Sequence, residues 1–340
     1  MAVVVPATGA LLEQILDETF PLWGEGLSRA GYARYNLAQL RTPWGASHLH
    51  RVALVDETGW LATAKRYRLR ARLDGQDLAM VGLGAVFTPA RRRRQGHAGE
   101  LIRRLLNEAA SDGCRLALLF SEIEPGYYER FGFRPVPINQ VVLAPHSGPG
   151  PFSHVAHEHE KRGQAPFRRV GPLAIPSRSG DLRDLAAIGE MNAAQAEGFR
   201  FTLLRDADYI GYAHAKKRLL AACGRPGQRE VEFQVVEEGG RAAAYVVVLE
   251  VGSNWMVTEC GDRDPSGARV GALLQSMLSQ PGRRPAQVHA WLPPNFLPPQ
   301  LTVLRRDLPS VSMMLAPIGG FDAGPPLTAG DLAWWHGDAF

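Results

Sequence analysis

At 340 residues the chain is long enough for two domains, and its 45% hydrophobic and 21% charged residues are ordinary for a globular protein. A net charge of +4 suits an anionic ligand but is too small to argue for a nucleic-acid protein, and no apolar run reaches the length of a membrane span. Cys114, Cys223 and Cys260 are few and widely spaced, which predicts a reducing, cytoplasmic setting without a disulfide framework; the opening MAVVVPATGALLEQ lacks the basic start and long apolar core of a signal peptide.

In chain order, residues 8–42 read as two helices. Leu11, Leu12, Ile15, Leu16 and Phe20 keep one stripe, and a second segment starts near Ser28. Residues 51–55 and 61–73 read as strands, and Asp74-Gly75 is a hairpin signal that returns the chain through residues 76–88. Gly82 and Gly84 weaken that strand. They mark either a bulge with close backbone approach or a place where an aromatic ring packs. Thr88-Pro89 ends the strand, because proline cannot donate a ladder hydrogen bond.

Four arginines, Arg91 to Arg94, then lead into Gln95-Gly96-His97-Ala98-Gly99 and a helical stripe of Leu101, Ile102, Leu105, Leu106 and Ala109. A strand, a basic glycine-containing loop and a helix in that order make an anion site: the helix start offers unpaired N–H groups and a positive dipole end. Neither G-x-x-x-x-G-K-[ST] nor G-x-G-x-x-G is present, so this is neither of the two common phosphate loops. The helix ends near Asp112-Gly113, residues 116–120 form a buried strand, Ser121 to Gly126 turn away, 127–130 is a short helix and 133–143 holds the last strands of the first half.

Arg93-x-x-Gly96-x-Ala98 resembles the pyrophosphate motif of the GCN5-related N-acetyltransferase superfamily. The preceding Val-Phe-Thr-Pro and the later Tyr128-Glu-Arg-Phe-Gly132-Phe133, similar to the superfamily's Tyr-x-x-x-Gly-Phe ending, extend the likeness over about residues 50–140. The resemblance implies an α/β (α+β) fold with a mixed, mostly antiparallel sheet flanked by helices, and two strands that splay to admit the pantetheine arm. It implies acetyl-CoA as co-substrate, with no metal, held by Val86, Phe87, Thr88, Arg93, Arg94, Gln95, Gly96, His97, Ala98, Gly99 and Ser121. It gives Tyr128 as general acid, with Glu122 or the carboxylate of Phe340 as candidate base, and it nominates Trp23, Tyr32, Tyr35 and Trp44 as acceptor-pocket walls.

Residues 146–168 read as a Pro- and Gly-rich linker; His154, His157 and His159 within it read as solvated rather than metal-binding. Residues 169–317 repeat the order of helices, antiparallel strands, helix and strand: helices over 181–194, 206–222 and 267–278, strands over 231–236, 242–251, 255–261 and 286–292. This looks like a second, degenerate domain of the same type, since Arg-Asp-Pro-Ser-Gly-Ala stands where the phosphate loop belongs. The tail, 318–340, ends in Trp-Trp-His-Gly-Asp-Ala-Phe and is too apolar to hang free.

The resemblance extends to the aminoglycoside-acetylating tandem relatives and, in Phe-Ser-Glu-Ile-x-Pro-x-Tyr-Tyr, to the lysine N-acetyltransferases. The expected function is acetyl transfer to a primary amine of a small molecule such as a lysine-like amino acid, an aminoglycoside or a polyamine. The alternatives are a protein or peptide N-acetyltransferase, a non-enzymatic acyl-CoA-binding regulator, and a nucleic-acid binder using Arg91 to Arg94. No membrane partner is expected, nucleic acid is disfavoured, and a homo-oligomer is left open.

Overall fold

The computed structural model describes residues 1–145 and 175–340, except Pro281, Arg283, Arg284 and Asn295. The linker and its three histidines lie outside the described residues.

The first half opens with β1 (Val3–Pro6), α1 (Gly9–Trp23), α2 (Arg29–Leu40) and α3 (Pro43–His48). The Ser28 hydroxyl caps α2 by accepting from the Gly31 amide at 3.0 Å, and Thr42 does the same for α3 through Gly45. α3 was not foreseen: at six residues it is too short to show a period, although Thr42-Pro43 is a good start signal. Then follow β2 (Leu49–Asp56), β3 (Gly59–Leu73), β4 (Gln76–Phe87), α4 (His97–Ser111), β5 (Leu116–Ser121), α5 (Gly126–Glu129), β6 (Arg134–Val136) and β7 (Gln140–Pro145).

The second half holds β8 (Arg178–Ser179), α6 (Leu185–Gln195), β9 (Phe201–Leu203), α7 (Ala207–Cys223), β10 (Arg229–Glu238), β11 (Arg241–Val251), β12 (Asn254–Asp262) and α8 (Ala268–Leu278). It continues with β13 (Gln287–Ala290), β14 (Leu301–Asp307), β15 (Ser312–Pro317) and β16 (Leu332–Ala333).

These strands form two mixed, mostly antiparallel sheets with helices packed on them, the expected α/β architecture. The first runs β1-β2-β3-β4-β5-β15-β6, and the second β14-β7-β13-β12-β11-β10-β8. The sheets trade a strand. β15, from late in the chain, lies between β5 and β6, pairing Ser312 to Pro317 with Ser121 to Leu116. β7, from the first half, lies between β13 and β14. β9 adds to the far end of β3, so a second stretch of the second half pairs with the first sheet.

α4 lays Leu101, Ile102, Leu105 and Ala109, all fully buried, against Val81 and Leu83 of β4 and Ala117 and Leu119 of β5. Burying each of the larger side chains is worth about 1.5–3 kcal/mol, which fixes the helix start against the ends of both strands.

Candidate active site

β4 and β5 run parallel and pair only from Met80 to Leu83 with Leu116 to Leu119. Beyond that both strands continue, β4 through Gly84 to Phe87 and β5 through Phe120 to Ser121, without pairing to each other. The register of β4 against β3 shifts between Gly84 and Phe87, and Ala85 takes φ +47°, so a β-bulge swings this edge away from β5. The bulge is the physical cause of the splay that the resemblance implied.

The loop Thr88 to Gly96 follows the unpaired end of β4 and leads into α4. Arg91 and Arg92 are tied down, by Glu18 and by Thr58. Arg93 donates to the Thr88 carbonyl at 3.2 Å, and its guanidinium lies 5.9 Å from the centre of the Phe87 ring. Arg94 adopts φ +62° and is exposed. The Gln95 amide oxygen accepts from His97 Nε2 at 3.1 Å. Gly96, at φ +85°, is the N-cap of α4, with no side chain capping the helix; a Cβ there would meet nothing within 4 Å. The first helix amides, through His97, Ala98 and Gly99, are left free for an outside acceptor. The residues present therefore fit a pyrophosphate.

Behind the loop the slot opens into a cavity of about 290 Å³. Gly84, Ala85 and Val86 line one lip, and Phe120, Ser121, Glu122 and Ile123 the other. Tyr128 is buried beside Tyr127 and Phe133; burial first, then Tyr127, pushes its pKa up to about 12, so it is protonated at neutral pH. Ser121 does not aim into the slot, since its hydroxyl closes the turn onto the Ile123 carbonyl at 2.8 Å. Glu122 is exposed at the rim. Phe87 points into the core with Trp23 and Trp60, leaving only its backbone at the slot.

Trp23, Tyr32 and Tyr35 also line the cavity. Trp44 does not; it is buried between His48, Tyr209 and Tyr212, where α3 meets α7. Arg51, Lys65 and Tyr67 line the cavity too, and sequence reasoning passed over all three. A signal was available: Arg51 heads the apolar run Val52 to Val55 of β2, and Lys65 stands directly opposite it in β3.

Phe340 reaches the same cavity. Its ring lies 4.2 Å from the centre of Tyr67 and 5.4 Å from that of Phe120. The tail before it is held in the second half by a buried charge cluster. Arg205 bonds Glu259 at 2.6 Å and approaches Asp338 at 3.2 Å, and His214 approaches Glu259 at 3.1 Å. Trp335 donates to Asn192 at 2.9 Å.

The matching helix start in the second half is already filled. Gly267 precedes α8, but the buried Asp262 carboxylate accepts from the Arg269 amide at 2.8 Å, and Phe296 and Pro298 cover Gly267. An internal carboxylate thus occupies the place an external phosphate would need. Among the described residues no group of three or more His, Cys, Asp or Glu side chains could hold a metal ion.

None of the curated proteins compared matches the chain significantly. Residues 26–136 match the family model of the acetyltransferase (GNAT) domain. Among solved structures, a probable N-acyltransferase from Enterococcus faecalis V583 aligns over 94% of this chain and 73% of its own at 12% identity, with a TM-score of 0.64. A GCN5-related N-acetyltransferase from Kribbella flavida aligns over 94% and 72% at 16% identity, TM-score 0.62. Eis1 from Mycobacterium abscessus aligns over 93% and 73% at 14% identity, TM-score 0.52. At such identities these likenesses speak for the two-sheet fold. The match identifies residues 26–136 as an acetyltransferase (GNAT) domain, and the unpaired ends of β4 and β5 and the open helix start lie within that stretch.

Proposed function

We propose that the first-half slot binds acetyl-CoA and that the enzyme acetylates a primary amine of a small molecule directly. The observation that carries the reading is the conjunction of an uncapped start of α4, unpaired ends of β4 and β5, and a cavity of about 290 Å³ lined by those strand ends and by aromatic side chains. A cavity of that size, lined by aromatic side chains, suits a small acceptor. The free Cys114, Cys223 and Cys260 support a reducing compartment such as the cytoplasm.

When bound, acetyl-CoA supplies the acetyl group as a thioester. The α4 amides and Arg94 hold its pyrophosphate charge, with Gly96 leaving room for close approach. A backbone N–H of the Ala85–Phe87 bulge stabilises the oxyanion that develops on the carbonyl. An acceptor ammonium, with a pKa near ~10.4 for a lysine-like amine, must first lose a proton, and Glu122 through a water, or the Phe340 carboxylate, takes it. The C–N bond forms and the C–S bond breaks, and the nitrogen sheds its second proton, which replaces the one Tyr128 gives up. Tyr128, kept protonated by burial, gives its proton to the leaving sulfur.

Two measurements test this. Calorimetric titration with acetyl-CoA should be saturable, and Arg94→Ala should weaken it by about 5–100-fold, the range of a lost charge-assisted contact. Tyr128→Phe should keep cofactor affinity and lower kcat by about 10²–10⁴-fold in an assay of CoA release over an amine panel. An unchanged kcat removes Tyr128 as the acid, and absence of binding removes the site.

A further inference from the structure

Arg51 is 5% exposed, yet no described residue hydrogen-bonds any of its three guanidinium nitrogens. Its side chain lines the acceptor cavity. Lys65, its direct cross-strand partner, lines the same wall. Two cations side by side on a sheet repel each other, and a buried guanidinium without an acceptor is among the costliest arrangements in a fold.

Among the described residues, no side chain lining the cavity forms an ion pair or hydrogen bond with the Arg51 guanidinium. Glu25 is exposed and turned to Arg229 at 3.1 Å, and Glu122 sits exposed at the rim. Tyr32 spends its hydroxyl on Thr19 at 3.0 Å. No ion pair joins the tail to Arg51 or Lys65 among the described residues. Lys216 donates to the Ala339 carbonyl nearby, which adds a third cation to the region. Burial first, then Arg51 and Lys216, drives the Lys65 pKa well below that of a free lysine, which is what an uncompensated positive site does to its weaker member.

We propose that Arg51, with Lys65 beside it, is a subsite for the acceptor's carboxylate, so that this enzyme acetylates amines that carry a carboxylate and discriminates against polycations. Arg offers a planar fork that matches two carboxylate oxygens, and Tyr67 and Tyr35 wall the space around it. A polyamine or aminoglycoside would instead bring further positive charge against the buried Arg51 guanidinium. The inference rests on the reading of this cavity as the acceptor site.

The test uses the full chain with saturating acetyl-CoA, whose own binding is measured first. The proteinogenic amino acids are assayed for CoA release, each beside its carboxamide and its decarboxylated amine, and the same compounds are titrated calorimetrically onto the CoA complex. At least one amino acid should exceed both its partners that lack the carboxylate by about 10–100-fold in kcat/KM or affinity. Arg51→Met should erase that preference, mainly through KM, while leaving CoA affinity unchanged. Because the change removes an unanswered buried charge, it should also raise the Tm of the ligand-free protein; a lowered Tm would mark Arg51 as structural and overturn the proposal. If CoA binds and no amino acid is preferred over its carboxamide, the carboxylate subsite is wrong while the acetyl-CoA site stands. If CoA itself does not bind, the underlying reading of the slot fails.

Discussion

A Cβ built on Gly82 would lie 2.6 Å from Cζ of Phe340 and 3.0 Å from Cδ1 of Leu69, while one on Gly84 would meet nothing closer than 3.2 Å. The two glycines therefore differ in what they permit. Gly82→Ala should push the Phe340 ring off its seat on Tyr67, destabilise the fold by about 1–3 kcal/mol as overpacking does, and expose the tail. Thermal unfolding together with carboxypeptidase digestion reads both effects. Gly84→Ala should be the milder change, because its neighbours need give only a few tenths of an ångström. The sequence offered a bulge or a packed aromatic at these glycines, and the structure holds both at adjacent positions. Which ring packs there was not legible, since Phe340 lies far away in sequence. The charge of Arg51 was legible as a residue but not as a site, because only burial without a partner makes an arginine unusual.

At the scale of the element, β4, the loop and α4 were readable because every signal is local: a proline stop, a glycine N-cap and one apolar stripe. The same locality makes α4 the most testable element. Gly96→Val would place a branched side chain at φ +85° and into the space left open before the helix amides. Its acetyl-CoA affinity should fall by at least about 100-fold, the loss of one or two charge-assisted contacts, with the Tm lowered by only a few degrees. Retained affinity would sink the assignment of the loop. The short strands β9, β14, β15 and β16 were not foreseen. Each is seven residues or fewer, and each is stabilised by partners distant in sequence, so its own residues carry little periodic signal. Asp262 is a further case: it reads as an ordinary acid in sequence, and only its bond to the Arg269 amide shows why the second helix start cannot take a phosphate.

For the whole molecule, the exchange of β7 and β15 makes each sheet incomplete without the other half. Residues 1–145 alone would leave the apolar β5 edge, Leu116 to Ser121, open on one side and β7 without its sheet. That fragment should be insoluble or lack a cooperative melt when expressed alone. Co-expression with residues 175–340 should restore a soluble complex with one unfolding transition; a stable, cooperatively folded 1–145 fragment would contradict the argument. The buried Arg205–Glu259–Asp338 cluster works in the same direction, since it fixes from the second half a tail that ends in the first half's cavity. The exchange also sets a clock on biosynthesis. At about 5–20 residues per second, roughly ten to thirty seconds separate the emergence of β7 from that of β15 at the ribosome. Throughout that interval the nascent first sheet presents an uncovered central strand, so yield in the cell should depend on a holding chaperone and on elongation speed far more than the finished enzyme's stability would suggest.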